Sequence, residues 1–295
     1  MAIYKSQTAL VSIIINCYNG EKYLREAIDS IYAQTYENWE IIFWDNCSTD
    51  RSAEIAKSFD QRLRYCFTVD TTPLGAARNL ALKKTKGKYI AFLDCDDIYL
   101  PEKLEKQVQL MEGSNYAMCY GSCITINEQG QVLKIKPVKN QSGDLFGSLL
   151  NHYEINMQTV MLRHSFLFEE CLSFDINLKR CPDYDLFMEI ASRFPVGVLQ
   201  DYIIKYRLLE DSLSKRTLDI VSTEVRFTLD NIVERAPELR KEFYKEFESA
   251  YNKLHFYDAV AAIHNNNRKL ARSELWNVIE TKVEYFLLYL LLLVP

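Results

Sequence analysis

Only nine of the 295 residues are glycine, and the loop after the first apolar run, Asn16-Cys17-Tyr18-Asn19-Gly20, holds just one of them. A G-x-G-x-x-G fingerprint is therefore missing there, which excludes a dinucleotide-binding dehydrogenase. The eight cysteines, at positions 17, 47, 66, 95, 119, 123, 171 and 181, form no C-x-x-C pair. Most lie in apolar, strand-like runs, as reduced core thiols do, so neither a zinc site nor a disulfide framework is expected. Basic residues are not in excess: 35 Lys and Arg against 40 Asp and Glu give a net charge of -5 and a pI near 5.6. Binding a phosphate backbone needs a basic surface, so nucleic acid is not expected as a partner. Residues 1–10 lack a charged segment followed by an apolar stretch, so no secretory signal is read and a cytoplasmic location is expected. The most apolar run, residues 285–295, falls well short of the roughly 20 residues that span a bilayer.

What is present has a βα rhythm. Residues 9–15 are β-branched and strand-like, and Leu24, Ala27, Ile28 and Ile31 then recur at helical spacing. The pattern repeats with 40–44 before a helix at 52–59, with 64–69 before 76–84, and with 89–93 before 101–111. Buried apolar strands alternating with helices predict an α/β fold around a mostly parallel sheet. Ligands of such sheets bind beyond the carboxyl ends of the strands. Three polar clusters fall at that edge: Asn16 to Asn19, Asp45-Asn46, and Asp94-Cys95-Asp96-Asp97. Three carboxylates within four positions repel one another unless a positive partner is near. An all-oxygen donor set favours Mg2+ or Mn2+, ions that commonly enter with a phosphorylated substrate such as a nucleotide-diphosphate compound. The competing reading is helix capping, for which Asp97, four residues before Pro101, is well spaced.

Six segments in this order resemble the inverting family 2 glycosyltransferases of GT-A fold: VSIIINCYN at 11–19, SIYAQTY at 30–36, DNCSTD at 45–50, GAARN at 75–79, GKYIAFLDCDD at 87–97 and PDYDLF at 182–187. The resemblance covers roughly residues 8–215. It implies a GT-A catalytic domain at 1–215, with a nucleotide-binding part at about 1–100 and an acceptor-binding part at about 101–215. It implies that Asn16, Tyr18, Asn19, Asp45 and Asn46 hold the nucleotide, with Tyr18 against a flat base and Asp45 or Asn46 on the polar edge of a uracil-like ring. It implies Arg78 beside a phosphate or the donor sugar, Asp94 near ribose and donor sugar, and Asp96 as the ligand of Mn2+ or Mg2+ bridging the diphosphate. Asp183, at the predicted start of a helix, is the implied catalytic base, with Asp185 in reserve. The spacing of Leu186, Phe187 and Ile190 supports that helix, and a plain cap is the alternative for the aspartate.

The chain departs from the family pattern at four points. Asn16 stands where proline is usual, Asn46 where a second aspartate is common, and Pro182 where a glutamate precedes the base. After Tyr206-Arg207 the family often has a histidine near the metal or diphosphate; here the chain reads Leu208-Leu209-Glu210-Asp211-Ser212. A catalytically impaired sugar-nucleotide or glycan-binding protein of the same fold is therefore the rival to a transferase. The partners expected for a transferase are a nucleotide-sugar donor, a UDP-sugar first, and a glycan or lipid-linked acceptor in cell-surface polysaccharide synthesis. Residues 216–295 carry charged helical patterns that predict two to four helices. Their apolar end has three readings: a buried terminal helix, a subunit contact within a homo-oligomer, or an anchor on the inner face of the membrane with Tyr285 and Tyr289 at headgroup level.

Overall fold

In the computed structural model, which describes residues 8–210 and 217–293, the first apolar run forms a strand, Val11–Cys17 (β1), closed off from solvent on both faces. Strands Trp39–Asp45 (β2), Leu63–Phe67 (β3) and Tyr89–Phe92 (β4) join it in parallel, in the order β3-β2-β1-β4. Helices Glu21–Tyr32 (α1), Ser52–Lys57 (α2) and Leu74–Leu82 (α3) alternate with them, as the periodicity predicts. Burial on both faces explains why these strands read as unbroken apolar runs rather than alternating ones. Leu24, Ala27, Ile28 and Ile31 of α1 are all buried in the core that β1, β2 and β4 share.

Beyond β4 the sheet becomes mixed. A short strand Ile98–Tyr99 (β5) precedes helix Lys103–Glu112 (α4), and strands Met118–Ile126 (β6), Val132–Lys136 (β7), Met161–Arg163 (β8) and Val196–Arg207 (β9) follow. The full order is β3-β2-β1-β4-β8-β6-β9-β5, with β7 on β6. The β6–β9 pair is parallel, whereas β8 runs antiparallel to both β4 and β6. Register sets Cys17 opposite Asp45 and Ile14 opposite Phe92, so the carboxyl ends of β1, β2 and β4 emerge side by side.

The chain divides into two compact units. The first is Met1–Leu145, Glu154–Asn177 and Arg193–Leu209, and it contains the sheet. The second is Phe146–Tyr153, Leu178–Ser192 and Glu210–Pro295. The boundary expected at 215/216 lies outside the described residues, and the helical unit also takes in two earlier segments. These contribute helix Phe146–Asn151 (α5) and most of helix Pro182–Arg193 (α7); helix His164–Glu169 (α6) belongs to the first unit. Among the described residues five helices follow in the second unit, Val221–Arg235, Pro237–Glu242, Tyr244–His264, Arg268–Trp276 and Val283–Leu291, where two to four were expected. The difference arises because Ala236-Pro237 and Phe243 interrupt the charged pattern, and because the last apolar run is itself helical. Phe146 packs edge-on against Phe243 and Phe247, and Leu229, Phe247 and Leu254 are fully buried.

Two sequence expectations are corrected here. Asp97 does not cap the next helix: β5 intervenes, α4 begins after Glu102, and the Asp97 carboxylate instead accepts the backbone N–H of Arg207 at 2.7 Å. Tyr285 cannot sit at headgroup level, because it is buried against Phe256 with ring centroids 4.8 Å apart.

Candidate active site

The loops after β1 and β2 are laced together. Asn19, at a φ of 52°, accepts the Thr49 N–H on its side-chain oxygen at 2.8 Å, and its own N–H donates to Ser48 Oγ at 3.0 Å. Gly20 N–H donates to Ser52 Oγ, and Asp50 accepts the N–H groups of both Glu21 and Ser52. Asn19 is thus a loop clasp. A Cβ at Gly20 would fall 2.7 Å from Cys95 Sγ and 2.9 Å from Cys17 Sγ, so only glycine lets this loop cross the acidic one. The Cys95 thiol is hydrogen-bonded to Cys17, which holds Cys17 below the usual thiol range and Cys95 well above it.

Tyr18 is 56% exposed at this edge, so its ring is open to a ligand and not part of the core. Beside it Asp45 is buried; one carboxylate oxygen accepts the Ser48 N–H at 2.8 Å and the other the Tyr65 hydroxyl at 2.6 Å. A carboxylate has about four lone-pair sites, so two of them remain for a ligand N–H. Asn46 differs. Its amide is committed at both ends to Thr72, accepting the Thr72 N–H and hydroxyl and donating to the Thr72 carbonyl. Asn16 keeps a buried side-chain N–H group with no hydrogen-bond partner among the described residues.

The acidic loop follows β4. Asp94, Asp96 and Asp97 each offer an oxygen within 4.8 Å of the others. Asp94 is gripped by Gln158, whose amide oxygen accepts the Asp94 N–H at 3.0 Å and whose Nε2 donates to Oδ2 at 2.5 Å. Arg78 lies 3.9 Å from Asp94 Oδ1, with its guanidinium 5.4 Å from the ring centre of Phe174. At 5% exposure it is a buried charge and not a solvated one. Burial, and then the charge of Asp94, push the Asp96 carboxyl up to about 6, against the pull of Arg207. Asp97 is displaced much further upward by the same two kinds of cause. Its Oδ2 is buried and unpartnered, as suits a neutral carboxyl.

Gln158 and Arg207 are the residues that sequence reasoning missed. Arg207 ends β9 and is buried, donating to the carbonyls of Asp96, Asn127 and Glu128 and to the Glu26 carboxylate. A lone arginine at the end of a long strand was the available signal, since a buried guanidinium requires several acceptors. Gln158 sits in a single turn, Met157–Thr159, that no periodicity marks. Of the stretch where the family histidine is missing, Asp211 and Ser212 lie outside the described residues.

Asp183 belongs to the second unit. It occupies the first turn of α7, which begins at Pro182 as the spacing predicts. The segment before it is fixed by Glu224, whose carboxylate accepts the N–H groups of Lys179, Arg180 and Cys181 at 2.8–2.9 Å. Asp185 accepts the Thr228 hydroxyl at 2.9 Å. Asp183 has no side-chain hydrogen bond among the described residues, so it rather than Asp185 is available to a ligand.

A mixed, mostly parallel sheet in this order, flanked by helices, defines a GT-A glycosyltransferase fold. It superposes on the S. aureus TarS fragment 1–349 in complex with UDP-GlcNAc with a TM-score of 0.72 at 18% identity, over 92% of this chain and 80% of that one. The chain belongs to glycosyl transferase family 2, whose profile matches residues 12–167. UDP-Glc:alpha-D-GlcNAc-diphosphoundecaprenol beta-1,3-glucosyltransferase WfgD of Escherichia coli is 33% identical over 234 residues, which is 76% of this chain and 89% of that relative. An uncharacterized glycosyltransferase of Rickettsia felis is 37% identical over 200 residues, 67% of this chain but 33% of the relative. The chain thus spans about a third of that relative's length.

Proposed function

We propose that this chain is a metal-dependent inverting glycosyltransferase that moves a sugar from a UDP-sugar to a hydroxyl of a glycan or lipid-linked glycan. The observation that carries the proposal is the edge where Asp94, Asp96 and buried Arg78 meet, beyond the same strand ends as exposed Tyr18 and half-satisfied Asp45. Residues 1–215 are read as the catalytic part and 216–295 as a helical extension. The name of the E. coli relative supports a UDP-sugar donor and a lipid-linked acceptor.

The donor set suits Mn2+ or Mg2+: it is all oxygen, and Asp94 and Asp96 are half-exposed while Asp97 is spent on Arg207. Asp96 is the proposed ligand. When bound, the ion supplies positive charge against the departing nucleotide diphosphate. Tyr18 lies against the uracil ring, and Asp45 accepts its ring N–H. Arg78 meets a phosphate or the donor sugar, and Gln158 holds Asp94 toward ribose and sugar. Asn16, with its unpartnered amide, is a further donor to the nucleotide. Asn19 and Asn46 act by shaping the loops. Asp183 takes the acceptor hydroxyl proton as that oxygen bonds to the anomeric carbon and the bond to diphosphate breaks. The face of attack is opposite the leaving group, so no covalent enzyme intermediate forms.

Release of UDP from a panel of UDP-sugars, with Mn2+ and with or without acceptor, tests this reading. Acceptor-stimulated release that is lost in Asp183→Asn while donor binding persists is the expected result. Donor binding without transfer across a broad acceptor panel would instead favour the binding-protein reading.

A further inference from the structure

The last described helix, Val283–Leu291, is apolar apart from the exposed Glu284 in its first turn. Its inner face, Tyr285, Leu288, Tyr289 and Leu292, closes a small core with Ala259, Leu275 and Val278. Its outer face, Val283, Phe286, Leu287, Leu290 and Leu291, is exposed where a surface helix ordinarily carries polar residues. Trp276 extends this patch: it is 63% exposed, with its ring 5.6 Å from that of Tyr289. Contiguous exposed apolar surface of this kind marks an interaction site.

A cleft of about 310 Å3 opens at the head of the same helix, between residues 281–285 and one face of Tyr244–His264. Three ammonium groups line it, those of Lys245, Lys253 and Lys282, and none has a carboxylate partner among the described residues. Glu248, the acidic residue on its wall, is already paired with Arg240 at 2.5 Å. Lys253 donates to the carbonyls of Leu150 and Asn151, and Lys282 lies 5.5 Å from the centre of the Tyr285 ring. Burial, and then the charge of Lys282, push Lys253 down to about 8.

A cationic cleft that continues into an apolar helix face is complementary to an amphiphile with an anionic head and hydrocarbon chains. We infer that the second unit docks on an anionic phospholipid bilayer, with Phe286, Leu287, Leu290, Leu291 and Trp276 entering the interface and Lys245, Lys253 and Lys282 receiving lipid phosphate. The helix lies in the plane of the interface. No helix among the described residues is long and apolar enough to cross a membrane. The exposed Trp276 suits the level where headgroups and chains meet.

Flotation of the full chain with vesicles tests the inference, using phosphatidylcholine alone and phosphatidylcholine mixed with phosphatidylglycerol. Uptake is expected on the mixed vesicles, reduced by raised salt and by about tenfold or more in each of two variants, Leu287→Ser/Leu291→Ser and Lys245→Glu/Lys282→Glu. All four positions are at the surface or cleft rim, and an unchanged melting temperature checks that the variants fold. Lys245→Gln/Lys282→Gln gives a second charge-removing pair with less perturbation. Equal uptake on uncharged vesicles, insensitivity to either pair, or a vesicle-free dimer that Leu287→Ser/Leu291→Ser dissociates would each overturn it. Flotation needs neither donor nor metal, so its failure leaves the transferase reading untouched.

Discussion

Replacing Arg207 by methionine isolates what holds the acidic loop. The guanidinium donates to three main-chain carbonyls, at 2.9 Å to Asp96, 3.3 Å to Asn127 and 3.0 Å to Glu128. Each is half-buried, so each orphaned acceptor costs about 1 kcal/mol, the low end for an unsatisfied group. The guanidinium also sits 4.3 Å from the ring centre of Tyr23, worth about 1 kcal/mol more. The Glu26 partner is 55% exposed, so that pair adds little. The expected loss is therefore about 4 kcal/mol in urea unfolding. A second consequence concerns the metal. Arg207 pulls the Asp96 carboxyl downward, and without it that carboxyl rises further above 6. A protonated carboxyl is a poor ligand, so Mn2+ affinity should fall as pH drops through about 6 in the wild type, and at higher pH in the variant. Arg207→Lys restores the charge but not the fork, so it should recover the pH profile and only part of the stability. Unfolding within about 1 kcal/mol of wild type, together with an unmoved Mn2+ profile measured by calorimetry, would refute the reasoning.

Other outcomes follow from single contacts. Gly20→Ala forces a methyl against the sulfurs of Cys17 and Cys95 and should cost about 2 kcal/mol while weakening UDP binding; a neutral effect in both assays would show that the loops do not cross as described. Gln158→Leu removes both the acceptor of the Asp94 N–H and the amide donor to its Oδ2, so donor affinity should drop about tenfold, an effect equivalent to 1.4 kcal/mol. Retention of full affinity would remove Gln158 from the site. Lys103 is buried with its ammonium near Tyr99, and burial pushes it from 10.5 down to about 7. Between those values the unfolded chain holds a proton that the folded chain lacks, so stability should rise with pH across this window and fall as pH drops toward 7. The gap corresponds to roughly 5 kcal/mol at 1.36 kcal/mol per pH unit, a ceiling because relaxation lets water in. Lys103→Met should flatten that slope, and an unchanged slope would place the titration elsewhere.

The sheet was legible because β1, β2 and β4 are covered on both faces, which wrote them as unbroken apolar runs. The acidic loop was legible because charge gathered at a strand end has few other uses. What stayed hidden is non-local. Asp97 read as a cap until β5 proved to intervene and Arg207, 110 positions away, to supply the donor. Gln158 reaches Asp94 across 64 positions from a turn without periodicity. Asn19 and Asn46 looked like ligand contacts because polar residues at a strand end serve loops and ligands alike, and only their partners, Thr49 and Thr72, tell the two apart. The helical unit recruits α5 and most of α7 from within the sheet region, an association that helical patterning along the chain does not encode.

The most direct test is Mn2+ titration at pH 7 followed by electron paramagnetic resonance, with and without UDP, on wild type and Asp96→Ala. The account predicts Mn2+ binding that UDP strengthens in the wild type and that Asp96→Ala abolishes while the variant stays folded. UDP-strengthened binding that survives intact in Asp96→Ala would contradict it.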